Sequence, residues 1–422
     1  MREGWKKVEL GDVTERINGL WKGKKGPYID VQVYSMSNFT KDSELDNNSE
    51  PRSIKARKSQ YEKRKLKYGD ILIEKSGGGP NQPVGRAVLF DISNNQKNTF
   101  SNFTTRLRIT EKLKIDLSPE YLHKYLKFLY LNGETEKFQK NSTNIRNLQL
   151  KEYLQVKIPI PPLPEQKRIT AILDEAFEAI DKAKANVERN IENAEELFQS
   201  KLNRIFSSKN WAYVQMEELL ELLTDYHANG SYKVLKKHVE ISENEDYAWM
   251  VRSTDFENDF KNKYRYINED AYNFLSKSKV FGGEIIMSKI GNAGKVYLMP
   301  EIDRPCSLAM NLFLLKTKQA KINNQFLYYY LHSTEGERQI HSRLKGTTTK
   351  TINKKNVKNI RVPLPNKFEQ KTAITELNKL RDSQEELRKK FDDKLKIVHE
   401  LKKAILQKAF TGKLTANETV AV

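Results

Sequence analysis

Asp70, Glu74 and Lys75 lie close enough in the chain to resemble the carboxylate and lysine cluster of a nuclease. Lys75 directly follows Glu74, however, and neighbours on a strand point to opposite faces. The three therefore do not converge on one reacting group. Nothing else supplies a catalytic set. The six histidines (His123, His227, His238, His332, His341 and His399) are scattered without metal-ligand spacing. The turn Gly291-Asn292-Ala293-Gly294-Lys295 is too short for a nucleotide-binding loop and lacks the following Ser or Thr. No Asn/Asp-Pro-Pro-Tyr/Phe motif for methylating an amino group occurs. The expected catalytic residues and metal sites are accordingly none.

Binding chemistry is better represented. The chain has 422 residues, with 74 Lys and Arg against 55 Asp and Glu, a net charge of +19. Such a balance favours a polyanion. Several basic residues are interleaved with amides and hydroxyls in Gly-punctuated loops. In the first half these are Lys22, Lys24, Lys25, Lys75, Asn81, Gln82 and Arg86; in the second, Arg252, Ser253, Thr254, Lys289, Asn292, Lys295, Arg343, Lys345 and Lys350. Lys and Arg neutralise phosphates, while Arg, Asn and Gln also make paired contacts with guanine or adenine edges. All sixteen are DNA-binding candidates.

An internal repeat positions them. Ile158-Pro159-Ile160-Pro161-Pro162-Leu163-Pro164-Glu165-Gln166-Lys167 returns 204 residues later as Val362-Pro363-Leu364-Pro365-Asn366-Lys367-Phe368-Glu369-Gln370-Lys371, and the offset holds through Phe206 and Phe410. Earlier landmarks repeat with looser spacing, Trp5/Trp211 at 206 and Gly69-Asp70/Gly283-Glu284 at 214. Each half is thus a module with loops of changing length followed by a segment of fixed length. Loop variation on a constant scaffold marks a binding surface. The fixed segments carry apolar residues at heptad spacing and read as helices of about 40 residues, roughly 60 Å long. Leu173, Ile180, Val187 and Leu197 of the first are expected to pack on Leu377, Leu387, Phe391 and Leu401 of the second. Asn366 with Glu369 forms a capping-box start, and Gly412 suits a left-handed stop.

The fold expected is α+β: two mixed α/β modules separated by two long helices that pair as an antiparallel coiled coil, with a pseudo-twofold internal repeat. The boundaries read as 1–158 for the first module, 159–206 for the central Pro-rich lead and helix, 207–362 for the second module, 363–412 for the second lead and helix, and 413–422 for a tail.

The doubled Pro-rich lead into Glu-Gln-Lys, the closing Leu406-Gln407-Lys408-Ala409-Phe410-Thr411-Gly412-Lys413-Leu414, and the Gly-Asp strand opening resemble specificity subunits of type I restriction-modification systems. The resemblance spans essentially the whole chain. Phe368 and Lys367 depart from the usual Pro-Leu of the second lead, and Ser76-Gly77-Gly78-Gly79-Pro80 is an unusual loop. The resemblance implies a non-catalytic subunit with two target recognition domains, each reading one part of a bipartite site in double-stranded DNA. Two methyltransferase subunits and ATP-driven restriction subunits would assemble around it. S-adenosylmethionine, ATP and Mg would serve those partners, with no cofactor in this chain. A coiled-coil interaction protein without sequence-specific DNA binding is the alternative, and it leaves two loop-variable basic modules unexplained.

No apolar run approaches the roughly 20 residues of a membrane span, and Cys306 stands alone; the expected location is a reducing cytoplasm. If the paired helices set the distance between half-sites, inserting four residues after Val187 lengthens them by about 6 Å. The tolerated spacer should then change by about two base pairs with both half-site sequences unaltered, as read by sequencing methylated sites.

Overall fold

The computed structural model describes all residues except 1–3, 22–25, 47, 80–81, 111–115, 143–144, 262 and 417–422. The chain forms two compact units, Met1–Val187 with Asp392–Val422, and Glu188–Phe391. The division falls inside both long helices, Leu163–Ser207 and Lys367–Phe410. Each unit therefore contains a module together with part of each helix.

The same topology is built twice. In the first unit a four-stranded antiparallel sheet runs in the order Thr14–Asn18, Thr104–Ile109, Asp70–Glu74, Ala87–Phe90. In the second unit the order is Leu220–Asp225, Leu312–Thr317, Ile285–Ser288, Val296–Leu298. The central strands are continuous apolar runs because both faces are covered: Ile71, Leu72 and Ile73, like Ile285, Ile286 and Met287, are at most 1% exposed. One face packs on a helix, Pro119–Leu131 or Asn324–Leu331. The other meets a smaller sheet carrying one parallel pair, Tyr28–Tyr34 with Asn98–Phe100 in the first unit and Ala248–Val251 with Cys306–Leu308 in the second. Burial pushes the thiol of Cys306 up to about 12, so this lone cysteine is inert.

A short two-stranded ribbon ties the start of each module to its Pro-rich lead. Lys6–Glu9 pairs with Lys157–Ile160, and Tyr213–Gln215 with Arg361–Pro363. Just beyond, the Glu-Gln pair that opens each helix makes the same contacts in both copies. Trp5 Nε1 donates to Glu165 Oε2 at 3.2 Å, and Trp211 Nε1 to Glu369 Oε1 at 3.1 Å. The fully buried Gln166 side chain accepts from Ser118 N at 2.9 Å and donates to Asp116 O at 2.8 Å and Pro161 O at 2.9 Å. Gln370 accepts from Asn323 N at 2.8 Å and donates to Lys321 O and Pro365 O at 2.9 and 3.0 Å. The expected capping box is present, with Glu369 N donating to Asn366 Oδ1 at 3.0 Å and Asn366 N to Glu369 Oε2 at 3.2 Å. Gly412 closes the last helix at φ +78°.

Within each unit the two helices pack on each other and on the module. Leu173, Ile180, Leu406, Ala409 and Phe410 share the first core; Leu202, Phe206, Ala373 and Leu377 share the second. Of the expected seam, Leu173, Ile180, Val187, Leu377 and Phe391 are buried, but Leu197, Leu387 and Leu401 are 63%, 41% and 44% exposed. An α-helix drifts by about 20° per heptad against a strict seven-residue repeat. Late in both helices the inward position therefore passes from Leu197 to Phe198 and from Leu401 to Lys402, which is 5% exposed.

Replacing Gln166 with Ala strands a buried N–H and two carbonyls. It should cost the first unit about 3 kcal/mol and expose the Ser118 amide to hydrogen exchange, while the Asn323 amide in the second unit stays protected.

Candidate nucleic-acid interface

In each module a lysine directly follows the buried central strand, and two segments fasten its backbone in the same way. Lys75 N donates to Phe103 O at 3.0 Å, and Leu148 N donates to Lys75 O at 2.8 Å. Lys289 N donates to Asn311 O at 2.7 Å, and Ile352 N to Lys289 O at 3.0 Å. Both lysines were legible as candidates, and the fold puts them at equivalent places. Their side chains differ in partner. Lys75 Nζ donates to the neutral Asn18 Oδ1 at 3.3 Å. Lys289 Nζ pairs with Asp225 Oδ2 at 2.6 Å, while Lys354 approaches Asp225 Oδ1 at 3.4 Å. Burial pushes the Asp225 carboxyl up, but the two ammonium groups outweigh it and hold the group below its ordinary value. For Lys75, burial and then Arg16 push the ammonium down.

The second module gathers its other candidates around this lysine. Ile290 bridges Thr351, which also bridges Lys345, so the 345–351 loop lies against the Gly291–Lys295 turn. Gly294 is required in that turn: its φ is +88°, and a Cβ would stand 2.4 Å from Ile340 Cγ2. Asn292 Nδ2 and Lys295 Nζ both reach Glu257 Oε1, at 2.9 and 3.3 Å, and both residues are exposed. Thr254, Lys345 and Lys350 are exposed, and Ser253 is half-buried. Two arginines are held by the protein itself. Arg252 forks onto Asp255 at 2.6 and 3.2 Å and caps the Lys263 carbonyl, and Arg343 donates to Gln339 O at 2.7 Å and Asn359 O at 3.0 Å. They fasten the loops that bear the exposed groups.

In the first module Lys22, Lys24, Lys25 and Asn81 lie outside the described residues, and Gln82 is exposed. Arg86 departs from the expectation of a DNA-facing residue. It is 6% exposed, its guanidinium forks onto Glu74 at 2.8 and 3.0 Å, and Nη1 donates to Phe39 O at 3.1 Å. Glu74 is 1% exposed, and a carboxylate so buried needs a paired cation. Asp70 is likewise committed, to Arg108 at 2.6 and 2.7 Å. The carboxylates near Lys75 are thus internal ion pairs, and among the described residues no three His, Cys, Asp or Glu side chains gather as metal ligands. The sequence reading missed a cavity of about 1070 Å³ beside Lys75, bordered by Trp21, Tyr28, Arg57, Asn102 and Phe103. Its signal was weak, because an aromatic residue in a sequence reads by default as core.

Comparison with known proteins finds matches along most of the chain. The family model described as the type I restriction modification DNA specificity domain matches residues 2–192 and again 208–396. The chain is 24% identical to the type I restriction enzyme MjaVIII specificity subunit of Methanocaldococcus jannaschii, covering 98% of this chain and 93% of that one. It is 25% identical to the EcoBI specificity subunit of Escherichia coli, over 72% and 68% of the two chains. A solved chain from work on complex assembly and conformational transition of the type I R-M system shares its fold at a TM-score of 0.75 and 18% identity, covering 98% and 99%. With two basic modules of one topology, each clasped to a long helix and each matched by the same specificity-domain model, the chain belongs to the DNA specificity subunits of type I restriction-modification systems.

Proposed function

We propose that each module reads one half of a bipartite DNA target through the loops that converge on Lys75 and on Lys289. The observation that carries this reading is the identical backbone frame around these two lysines, on which loops of different sequence and length are mounted. A constant frame with variable loops suits a protein whose two halves do the same task on different sequences. Exposed Lys295, Lys345 and Lys350 supply phosphate contacts that position the duplex, while Asn292 and Gln82 offer the paired donor and acceptor that distinguish base edges. The chain itself is non-catalytic. Two methyltransferase subunits and ATP-driven restriction subunits act around it in the cytoplasm, and S-adenosylmethionine, ATP and Mg belong to those partners. Among the described residues no helix is long and apolar enough to cross a membrane.

Sequencing methylated adenines in cells that carry this chain with its methyltransferase partners should yield one interrupted, two-part motif. Exchanging the 290–295 and 343–351 loops for those of a relative should change one part only. The purified chain alone should transfer no methyl group from labelled S-adenosylmethionine, and partner-free transfer would overturn the non-catalytic assignment.

The two lysines also make a prediction of their own. Asp225→Asn gives Lys289 the kind of neutral partner that Lys75 has in Asn18. Because Asp225 also holds Lys354, the substitution is made with Lys354→Gln, so that Lys289 is the one cation freed; binding should tighten relative to Lys354→Gln alone, and the dependence of log affinity on log salt should steepen by about one phosphate contact, roughly 0.9. A salt titration by fluorescence anisotropy reads this directly, and an unchanged slope would show that Lys289 does not face DNA.

A further inference from the structure

The cavity of the first module is built differently from the rest of the interface. Trp21, Phe103 and Tyr28 on its border are 71%, 49% and 46% exposed. Three large rings exposed at one concave site mark a binding surface. Arg52 and Lys55 line the same cavity and are exposed, and Arg57 stands in its wall; none of the three makes an ion pair among the described residues. Arg57 Nε and Ser101 Oγ, in two of the lining residues, are buried with no hydrogen-bond partner among the described residues. Buried polar atoms are nearly always paired, so each such atom calls for an explanation.

The border is fixed by the backbone. Leu20 N donates to Phe100 O at 2.9 Å, and Gly19 lies so close to Ser101 that a Cβ would stand 1.8 Å from its carbonyl oxygen. Trp21 and Phe103 are thereby held on adjoining segments. Tyr28 is the cross-strand partner of Arg57, so the two share one face of their sheet. Phe103 is also the residue whose carbonyl receives the Lys75 amide, so the cavity adjoins the lysine frame. The matching sheet of the second module is filled by its own side chains. Trp249 stacks on Tyr264 at 4.3 Å and 10°, and Arg304 covers Trp249 at 5.3 Å.

Inside a duplex the faces of the bases are covered by their neighbours, and proteins meet only phosphates, sugars and groove edges. Ring faces gain from a nucleic acid when a base leaves the stack and lies against them. The volume exceeds the roughly 300–1,000 Å³ of small-ligand sites, which is room for a whole nucleotide. Resting on the DNA-reading function proposed above, we propose that this cavity holds one nucleotide of the first half-site drawn out of the duplex, its base against Trp21 and Phe103 and its phosphate on Arg52. The second module reads its half-site without such a step.

The experiment uses the chain in complex with its methyltransferase partners and a duplex carrying its methylated motif, with 2-aminopurine at successive positions of the first half-site. One position other than the methylated adenine should brighten on binding. Trp21→Ala with Phe103→Ala should abolish that rise and weaken binding roughly tenfold or more, leaving the footprint on the second half-site in place. Both side chains are largely exposed, so the core is untouched, and Trp21→Phe should keep the signal. Brightening confined to the methylated adenine, or surviving in the double variant, overturns the assignment. So does a variant that binds DNA normally but no longer holds its methyltransferase partner, since the border would then be a protein-docking surface. A complex that footprints neither half-site would instead overturn the DNA-reading function itself.

Discussion

The side chains of Gln166 and Gln370 hold the architecture together, because each closes three backbone hydrogen bonds that the chain cannot close for itself. The Pro-rich leads end their ribbons abruptly, and a buried carbonyl left there would be costly. A primary amide is suited to the position, since it offers an acceptor and two donors from one planar group. One of these bonds goes to the residue that caps the module's packing helix, Ser118 or Asn323, and another to the lead itself. Helix, ribbon and module are thus joined at one point. The preceding glutamate extends the joint by receiving an indole N–H from the module's first strand region, and Glu165 also accepts from Thr415 at 2.8 Å. Both ends of the described chain therefore meet on the first unit's clasp.

Because the clasp speaks mainly to backbone atoms, it is indifferent to the loops at the far side of each module. The lysine frame follows the same logic. Its fastening bonds are backbone to backbone, so the segments around Lys75 and Lys289 can differ in length and composition without moving the lysine. What changes is the chemistry presented: an amide partner and an aromatic cavity in the first module, an ion pair and a Gly-dependent turn in the second.

The repeat made most of this fold legible. A constant offset of 204 with drifting offsets upstream distinguishes rigid helices from loop-bearing modules, and both helices appear, at 45 and 44 residues. The capping box at Asn366 and the stop at Gly412 were legible because they depend on local chemistry alone. Leu197, Leu387 and Leu401 were not, because a heptad pattern extended over 40 residues accumulates an angular error that only the real helix path resolves. Arg86 misled for a related reason. An arginine beside a glycine in a polar loop looks the same whether it meets phosphate or a carboxylate, and Glu74 is brought to it by strand pairing twelve residues away. The aromatic border of the cavity was hidden because ring exposure is a tertiary property.

Two units of one topology raise a pairing problem, since each helix end must choose the right module. The side chains at equivalent positions supply the discrimination. In the first unit Lys402 is buried and donates to Asp42 at 2.7 Å and Asp181 at 2.6 Å, while Lys124 meets Asp174 at 2.8 Å. The positions 204 or 205 residues away carry Phe198 for Lys402, Tyr329 for Lys124 and Asn378 for Asp174. There Phe198 packs beside Tyr329, whose hydroxyl donates to Asn378 Oδ1 at 2.6 Å. A lysine placed in the second setting would be buried among aromatic rings without its carboxylates, and an unpaired buried charge is destabilising. A phenylalanine in the first would strand Asp42 beside Asp181. Within the native pairing each set is satisfied, so charge on one side and aromatic packing on the other assign every helix end to its own module, even though the clasps that start the helices share the same Trp–Glu and Gln–backbone bonds.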